Sequence, residues 1–327
     1  MRNPDVRTAA EKDSINEQLV DALNAIFGSH AGYRPLHAKG IVCEGTFAPS
    51  GRAAWLTRAP HLQSEPSPVT VRFSDFSGVP SVPDGDPTAS PRGMAIRFHL
   101  PSRASTDLIA HSYRGFPAAT PEEFLTFLRA LASSGPDAPK PTALEKFLAT
   151  HPQAKLFAMA PKPTPASFAT EAYYAVDAFR FTNRDGASRY GRYRIIPDGG
   201  AKHLDTVEAA RRPASFLFDE LADRLSQGPI KFYIAVQLAE EGDTIEDPSL
   251  PWPDERPQVE FGVLTVTARV ADSAAVEQKL DFDPSRLVDG IELSGDPILL
   301  VRSAVYAIAR RRRLAGVAAP EGVARGA

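Results

Sequence analysis

The sequence predicts an α+β fold, an antiparallel β-barrel of about eight strands with helical additions. Two observations support this prediction. Short apolar segments follow one another at the spacing of a meander and are separated by proline, glycine and aspartate. Amphipathic helical patterns precede, interrupt and follow these segments. A barrel of this kind can hold a large ligand within its mouth or beside it.

The N-terminal third of the chain predicts one helix followed by strands. Residues 11–29 are expected to form a helix that ends near Gly28. Its apolar side chains recur at helical spacing, at Ile15, Leu19, Ala22, Leu23 and Ile26. Residues 79–92 are rich in proline, glycine and aspartate and predict a loop. Short apolar strands surround this loop, at 40–47, 69–73 and 94–100.

The rest of the chain alternates between helices and strands. Residues 121–133 predict a helix with Thr120 as its N-cap and a proline at the first helical position, and residues 141–150 predict another. A further helix is expected at 213–227, and the acidic, proline-rich segment 240–258 is expected to be a surface loop. Four more strands are predicted, at 173–183, 188–197, 230–238 and 261–268.

Length and composition limit the class of protein. We expect an N-terminal helical segment at 1–33, a barrel domain at 34–316 and a flexible tail at 317–327. The net charge of −3 argues against a general nucleic-acid binder. The single cysteine, Cys43, excludes an internal disulfide. Without a signal-peptide pattern or a run of about eighteen apolar residues, the sequence predicts a cytoplasmic protein with no membrane insertion.

The run from Arg302 to Arg313 places an arginine four residues before a tyrosine, in a helix-compatible stretch of small apolar residues. Residues four apart on a helix share a face, with about 5–6 Å between their β-carbons. A guanidinium fixed at that distance favours the ionised phenol of Tyr306, and tyrosinate is an unusual haem ligand. Taken alone, the motif also fits a helix tyrosine with its ring in the core and a solvated arginine.

Two further pairs of polar residues lie near the first strands. Arg34 and His37 stand three apart just before the first strand. Arg72 and Ser74 stand two apart on the next strand and therefore share a face of the sheet. Taken singly, His37 also fits a structural histidine and the arginines fit solvated strand positions.

These residues belong to a set of blocks by which the chain resembles the haem catalase superfamily, specifically the short catalase-related peroxidases. The blocks occur in the family's order and run from about residue 34 to 316. They are Arg34-x-x-His37-Ala-Lys-Gly40, Val71-Arg72-Phe73-Ser74, Pro91-Arg92-Gly93-Met94-Ala95-Ile96-Arg97-Phe98, Asp107-Leu108-Ile109, Phe124-x-x-Phe127, Gly290-Ile-x-Leu-Ser294 and Arg302-x3-Tyr306-x6-Arg313.

The resemblance implies a haem b cofactor and a role for each matched residue. His37 would be the distal catalytic histidine, a neutral imidazole that moves a proton between the two peroxide oxygens. Ser74 would orient its ring. Tyr306 would be the axial ligand of the iron, and Arg302 would keep it ionised.

The resemblance also assigns the remaining cationic and aromatic positions. Arg34, Arg72 and Arg313 would clamp the haem propionates. In the run 310–313, which also fits a nucleic-acid patch by composition, Arg313 would face the haem and at least two of the other arginines would face solvent. Aromatic rings would stack on the distal haem face and wall the channel, at Phe124 and Phe116; both also fit ordinary core aromatics.

His111 departs from the family pattern. It stands where typical catalases have the first of two asparagines, so a group that can titrate replaces an amide that orients peroxide. We therefore expect weak disproportionation of hydrogen peroxide. The chain also lacks the family's long N-terminal arm, which predicts a more open channel and access for organic hydroperoxides.

Three functions fit these expectations. The first is a haem-dependent peroxidase that uses hydrogen peroxide or an organic hydroperoxide with a small-molecule reductant. The second is an isomerase or lyase of fatty-acid hydroperoxides, similar to allene oxide synthase, and the third is a haem-binding protein without turnover. A homodimer or a higher homo-oligomer is a possible assembly for each of them.

Overall fold

The computed structural model describes residues 9–318, and all strands within that range belong to one antiparallel sheet. The ten strands are β1 (Gly40–Pro49), β2 (Ser67–Ser74), β3 (Gly93–His99), β4 (Ser105–His111), β5 (Tyr173–Tyr174), β6 (Phe179–Thr182), β7 (Ser188–Pro197), β8 (Ile230–Leu238), β9 (Gln258–Arg269) and β10 (Ile291–Leu293).

The sheet closes on itself at β7. This strand pairs with β5 on one edge and with β8 on the other, and the remaining neighbours run β5-β4-β3-β2-β1-β9-β8. The closed ring therefore has eight strands, while β6 and β10 extend the sheet beyond β7. The predicted antiparallel barrel is confirmed, and closure leaves the eight strands without a free edge.

Helices precede, interrupt and follow the strands of this barrel. In the described part of the chain they are α1 (Ala9–Phe27), α2 (Pro121–Ala132), α3 (Ala143–Thr150), α4 (Pro152–Met159), α5 (Thr206–Arg211), α6 (Phe216–Gln227), α7 (Ser273–Lys279) and α8 (Pro297–Ala318). The first, second and last of these pack together. None of the helices among residues 9–318 is both long and apolar enough to cross a membrane.

The interior of the barrel is a packed apolar core. Phe73 points inward and meets Phe168 and Phe232, with ring centroids 5.6 and 6.1 Å away. Because successive side chains of a strand point to opposite faces, Arg72 and Ser74 on the same strand point outward. The predicted site residues of β2 therefore lie beside the barrel and not within it.

A second apolar cluster lies between the helices. Leu19 and Leu23 of α1 pack there with Leu125 of α2 and with α3. Val301 and Val305 of α8 pack against the same cluster. α1 ends where Gly28 takes a φ of +82°, a left-handed conformation that favours glycine, as the sequence predicts. α8 is thereby held between the helical cluster and the barrel wall.

The structure differs from the sequence prediction mainly at short elements. β4, β10, α4, α5 and α7 were not predicted, because short segments carry few turns or alternations from which to read a period. The predicted strand 173–183 is divided into β5 and β6, and its middle residues leave the sheet. α8 extends to Ala318, and the rest of the predicted tail lies outside the described residues, as do residues 1–8.

Candidate active site

A row of four residues crosses the outer face of the barrel from β1 to β4. Gly40 lies opposite Ser74, Ser74 opposite Gly93, and Gly93 opposite His111. Residues directly opposite each other in an antiparallel sheet point to the same face. Since two of the four have no side chain, Ser74 and His111 border an open space above the strand between them.

His37 enters this space from the segment before β1. Its backbone has a φ of +57°, and its N–H donates to the Phe76 carbonyl at 2.8 Å. The ring Nδ1 lies 2.9 Å from the Asp75 carbonyl and 3.1 Å from Ser74 Oγ. A carbonyl can only accept, so Nδ1 carries the proton and the Nε2 lone pair is free. The predicted contact between His37 and Ser74 is present.

The protonation state of His37 follows from its surroundings. Burial, followed by the positive charge of Arg72, lowers the imidazole pKa to about 3. The Phe76 ring packs edge-on against the imidazole, with centroids 5.4 Å apart. His37 is therefore neutral across the physiological range, which suits a group that accepts a proton.

Two glycines make this arrangement possible. A β-carbon at Gly93 would lie 2.5 Å from Ser74 Oγ and 2.8 Å from His37 Nδ1. A β-carbon at Gly40 would lie 2.2 Å from the Arg72 guanidinium. All three distances are shorter than β-carbon contacts in folded proteins. The sequence analysis placed both glycines in family blocks but assigned them no role, because the close approach is visible only in three dimensions.

His111 closes the row on β4. The backbone N–H of Tyr113 points to its Nδ1 at 3.2 Å, so this nitrogen is the acceptor. Burial, followed by the positive charges of Arg302 and Lys162, lowers the pKa of His111 to about 3. His111 lies directly opposite Gly93, whose ideal β-carbon position is 2.8 Å from His37 Nδ1, and its charge contributes to the lowered pKa of His37. Although a histidine can titrate, this one is neutral at physiological pH.

The predicted pair on α8 forms a direct contact. Arg302 Nη2 donates to the phenol oxygen of Tyr306 at 2.8 Å, and Arg302 Nε lies 3.3 Å from the same oxygen. Arg302 also pairs with Asp177, which lies between β5 and β6. Burial opposes the charge of Arg302, but Tyr306 and Asp177 outweigh it and raise the arginine pKa. The guanidinium is a fixed cation at the phenol oxygen.

Two buried carboxyl groups lie behind Arg302. Asp177 and Asp296 are almost fully inaccessible to solvent, and each has one side-chain oxygen without a hydrogen-bond partner. The other oxygen of Asp296 accepts from the N–H of Ile298 at 2.8 Å at the start of α8. Burial, followed by the charge of Asp177, raises the pKa of Asp296 to about 8. The sequence analysis missed both residues, since neither belongs to a local motif.

The three predicted propionate clamps converge on α7 and the residue that follows it, two of them through Glu277 and the third through a backbone carbonyl. Glu277 of α7 accepts from Arg34 at 3.0 Å and pairs with Arg72 through two donors. Arg313 Nη2 and Arg34 Nη2 both donate to the Leu280 carbonyl, at 3.0 and 2.8 Å. Burial, followed by the charges of the other two arginines, lowers the pKa of Arg34. The structure brings all three arginines together.

Two arginines of the run at the end of α8 face solvent, as the sequence predicts, whereas the orientation of Arg313 towards a haem stays a prediction. Arg313 is buried, whereas Arg310 and Arg311 are exposed. Arg312 reaches α1 and pairs with Asp21 at 2.5 Å. Most of the run is therefore explained by solvent contact and by the packing of α8 against α1.

The two predicted channel aromatics lie against each other. The ring centroids of Phe116 and Phe124 are 4.8 Å apart, with an interplanar angle of 50°. Phe124 also stacks on Phe127 at 6.5 Å and packs against the helical cluster. The two rings thus belong to one aromatic wall at the start of α2.

A buried charge network supports the segment that holds His37. Arg92 is fully buried and pairs with Asp75, whose backbone carbonyl binds the His37 ring. Lys39 donates to Asp84, and Asp84 accepts from the Leu217 N–H at 2.7 Å. Two cations and two anions therefore lie together behind the imidazole. None of these roles was predicted, because the partners come from separate parts of the chain.

The fold and the site together define a barrel protein with an imidazole base on the barrel wall and an arginine-bound phenol on α8. Residues 15–320 match the family described as "Catalase". The chain therefore belongs to the catalase family.

Two relatives cover nearly the same length as this chain. A "Catalase-related peroxidase" from Mycolicibacterium paratuberculosis is 37% identical over 302 residues, which cover 91% of this chain and 94% of that protein. A "Catalase-related peroxidase" from Synechococcus elongatus is 32% identical over 304 residues, which cover 92% of this chain and 89% of that protein.

Solved catalases have a similar fold but longer chains. A fungal catalase superposes with a TM-score of 0.78 at 22% identity, over 90% of this chain and 62% of its own. Catalase A from Saccharomyces cerevisiae superposes with a TM-score of 0.77 at 21% identity, over 96% of this chain and 66% of its own. This likeness supports the fold alone.

Proposed function

We propose that the protein is a haem-dependent peroxidase that reduces hydrogen peroxide or an organic hydroperoxide with an external electron donor, with weak catalase activity. One observation carries the proposal. Arg72 shares a face of β2 with Ser74, and Arg313 lies two turns from Tyr306 on α8. Arg72 and Arg313 both lie in one cluster with Arg34. The arginine cluster thus joins the wall that holds His37 to the helix that holds the phenol.

The charges and donors of this site suit a haem b. Three arginines and Glu277 leave two positive charges, which equal the two negative charges of the propionates. The next carboxylate, Asp281, pairs with Arg286 at 3.1 Å. Tyr306 is the side chain that would ligate the iron, and Arg302 directs two donors at its oxygen. The aromatic wall of Phe116 and Phe124 offers an apolar surface to a porphyrin.

The side chains have distinct tasks in the proposed reaction. When bound, the haem would supply the two electrons that cleave the O–O bond, and the external donor would replace them. His37 Nε2 takes the proton from the near peroxide oxygen and gives it to the far oxygen, which leaves as water or an alcohol. Ser74 and the Asp75 carbonyl hold Nδ1 and keep Nε2 directed to the substrate space.

We expect an external electron donor because His111 replaces the asparagine of typical catalases. Catalase turnover needs the second peroxide to be oriented as the reductant in the same pocket, and an imidazole has a different shape and reach from the amide of typical catalases. An aromatic or other small-molecule donor would replace the second peroxide. Assembly as a homo-oligomer and a cytoplasmic location stay predictions.

Reconstitution of the purified protein with hemin tests the proposal. We expect a Soret band without the signature of imidazole or thiolate ligation, and oxidation of an aromatic donor when peroxide is added. Tyr306→Phe should change the spectrum, whereas Tyr33→Phe, at an exposed tyrosine, should leave it unchanged. His37→Ala should lower peroxidase kcat/KM by at least about a hundred-fold.

The alternatives give different results in the same assays. Rearrangement of a lipid hydroperoxide in the absence of a reductant would indicate an isomerase or lyase. Full hemin occupancy without turnover would indicate a non-catalytic haem-binding protein. A protein that takes up no hemin would contradict all three functions.

A further inference from the structure

We propose that His111 is a fixed hydrogen-bond donor to the hydroperoxide, with a tautomer opposite to that of His37, so that the site pairs one imidazole base with one imidazole donor. This inference deepens the proposed peroxidase function and rests on it. It assigns a role to the one site residue that departs from the family pattern.

The tautomer of His111 follows from its hydrogen bond. The Tyr113 N–H can only donate, and it points to His111 Nδ1 at 3.2 Å. A neutral ring whose Nδ1 accepts must carry its proton on Nε2. The ring then has no free lone pair with which to take a second proton while this contact lasts. His111 can therefore donate a hydrogen bond but cannot serve as the base.

His37 has the reverse arrangement. Its Nδ1 faces the Asp75 carbonyl at 2.9 Å, which requires a proton on Nδ1 and leaves the Nε2 lone pair free. Ser74 Oγ, at 3.1 Å from the same nitrogen, stabilises this orientation. The backbone thus sets both tautomers, one through an N–H and the other through a carbonyl.

The two rings border the same space. The ideal β-carbon position of Gly93 lies 2.8–2.9 Å from the His37 ring, and Gly93 pairs directly with His111 on the next strand. The absence of a side chain at position 93 leaves room for the His37 ring to approach the strand that pairs with His111. Lowered pKa values keep both rings neutral, so they do not repel each other.

This pairing fits a hydroperoxide of the form ROOH. His37 Nε2 removes the single proton of the near oxygen, while the His111 Nε2–H donates a hydrogen bond to an oxygen lone pair. Negative charge that develops on the leaving oxygen is stabilised by that donor, and His37 then returns the proton to give ROH. The near oxygen takes up two electrons and two protons from the external donor and leaves as water, so that ROOH, two electrons and two protons give ROH and H2O without loss of a proton from His111. Because the substrate needs only one acidic proton, alkyl hydroperoxides fit the site as well as hydrogen peroxide does.

Nitrogen NMR of the hemin-free protein tests the tautomers without reference to activity. With 15N-histidine labelling, we expect His111 to show a protonated Nε2 and an unprotonated Nδ1, and His37 to show the reverse. The variants H111Q and H37Q assign the two signals among the seven histidines. A proton on Nδ1 of His111 would overturn the inference, whatever the haem content of the protein.

Activity tests the role of the donor. A glutamine amide reaches about as far as Nε2 and can donate, whereas leucine cannot. We expect H111L to lower kcat/KM for cumene hydroperoxide at least about ten-fold relative to H111Q. H99Q, at an exposed histidine on β3, serves as the control. Equal activity of H111L and H111Q would overturn the donor role. The proposed peroxidase function would then still stand, provided that H37A is inactive and H111L binds hemin.

Discussion

At the scale of single residues, the site depends on His37 being held in one orientation. Its backbone lies in the left-handed region, at a φ of +57°, which costs a non-glycine residue about 1–2 kcal/mol. Hydrogen bonds from the backbone N–H and from the ring offset that cost. The result is an imidazole ring held in one orientation beside Ser74 and Gly93.

Gly93→Ala tests how closely this orientation is set. The new β-carbon would lie 2.5 Å from Ser74 Oγ and 2.8 Å from His37 Nδ1, so one of the two side chains must move. We expect peroxidase kcat/KM to fall about ten- to a hundred-fold, with hemin still bound. Gly135→Ala is the matched control, because no atom lies within 4 Å of its added carbon. An active Gly93→Ala enzyme would contradict the importance of the ring position.

At the scale of elements, the site is formed by a strand, a loop and a helix, and ion pairs and hydrogen bonds of charged side chains hold them together. α8 presents Arg302, Tyr306 and Arg313 towards the barrel and uses Arg312 to contact α1. Asp84 anchors the loop between β2 and β3, because it accepts hydrogen bonds from Lys39 and from the first turn of α6. These contacts hold the distal segment against the barrel.

Asp84→Ala tests how much the buried ion pairs of that loop contribute to stability. Asp84 is fully buried, and its removal would leave Lys39 and Arg92 with Asp75 as their only carboxylate in this network. We expect a loss of about 3–5 kcal/mol in the free energy of unfolding, measured by urea denaturation. Asp137→Ala, at an exposed position, should change it by less than about 0.5 kcal/mol. Similar values for the two variants would show that the network does not stabilise the fold.

At the scale of the whole molecule, a buried histidine outside the site links stability to pH. His61 is 3% exposed, packs on Phe98 at 4.8 Å and has an Nδ1 without a partner. Burial lowers its pKa to about 3. The unfolded chain binds a proton near the ordinary value of about 6.5, whereas the folded chain does not. The contribution of His61 to stability is therefore complete above that pH and decreases as the pH falls towards 3.

His61→Phe should remove this dependence. At about 1.4 kcal/mol per pH unit, protonation of the unfolded state costs the wild-type protein about 2 kcal/mol at pH 5. We expect the decrease in unfolding free energy between pH 7 and pH 5 to be smaller by that amount in the variant, measured on hemin-free protein. His30→Gln, at a partly exposed histidine, is the control. An identical decrease in His61→Phe and wild type would contradict the lowered pKa.

The sequence by itself determined what depends on neighbours along the chain. Strand alternation and helical spacing predicted the barrel class and most of the longer elements, including 188–197 and 230–238 at their exact bounds. The four-residue spacing predicted that Arg302 would meet Tyr306, and the structure has that contact. Each of these features repeats over a few residues, which is why it can be read from a single sequence.

Only the tertiary structure decided which distant residues complete the site. Glu277 meets Arg34 across 243 positions of sequence, and Asp177 meets Arg302 across 125. The tautomers of His37 and His111 depend on which backbone group each ring faces, and the role of Gly93 depends on what approaches it. No local period records such contacts, because they arise from the closure of the barrel and the packing of α8 against it.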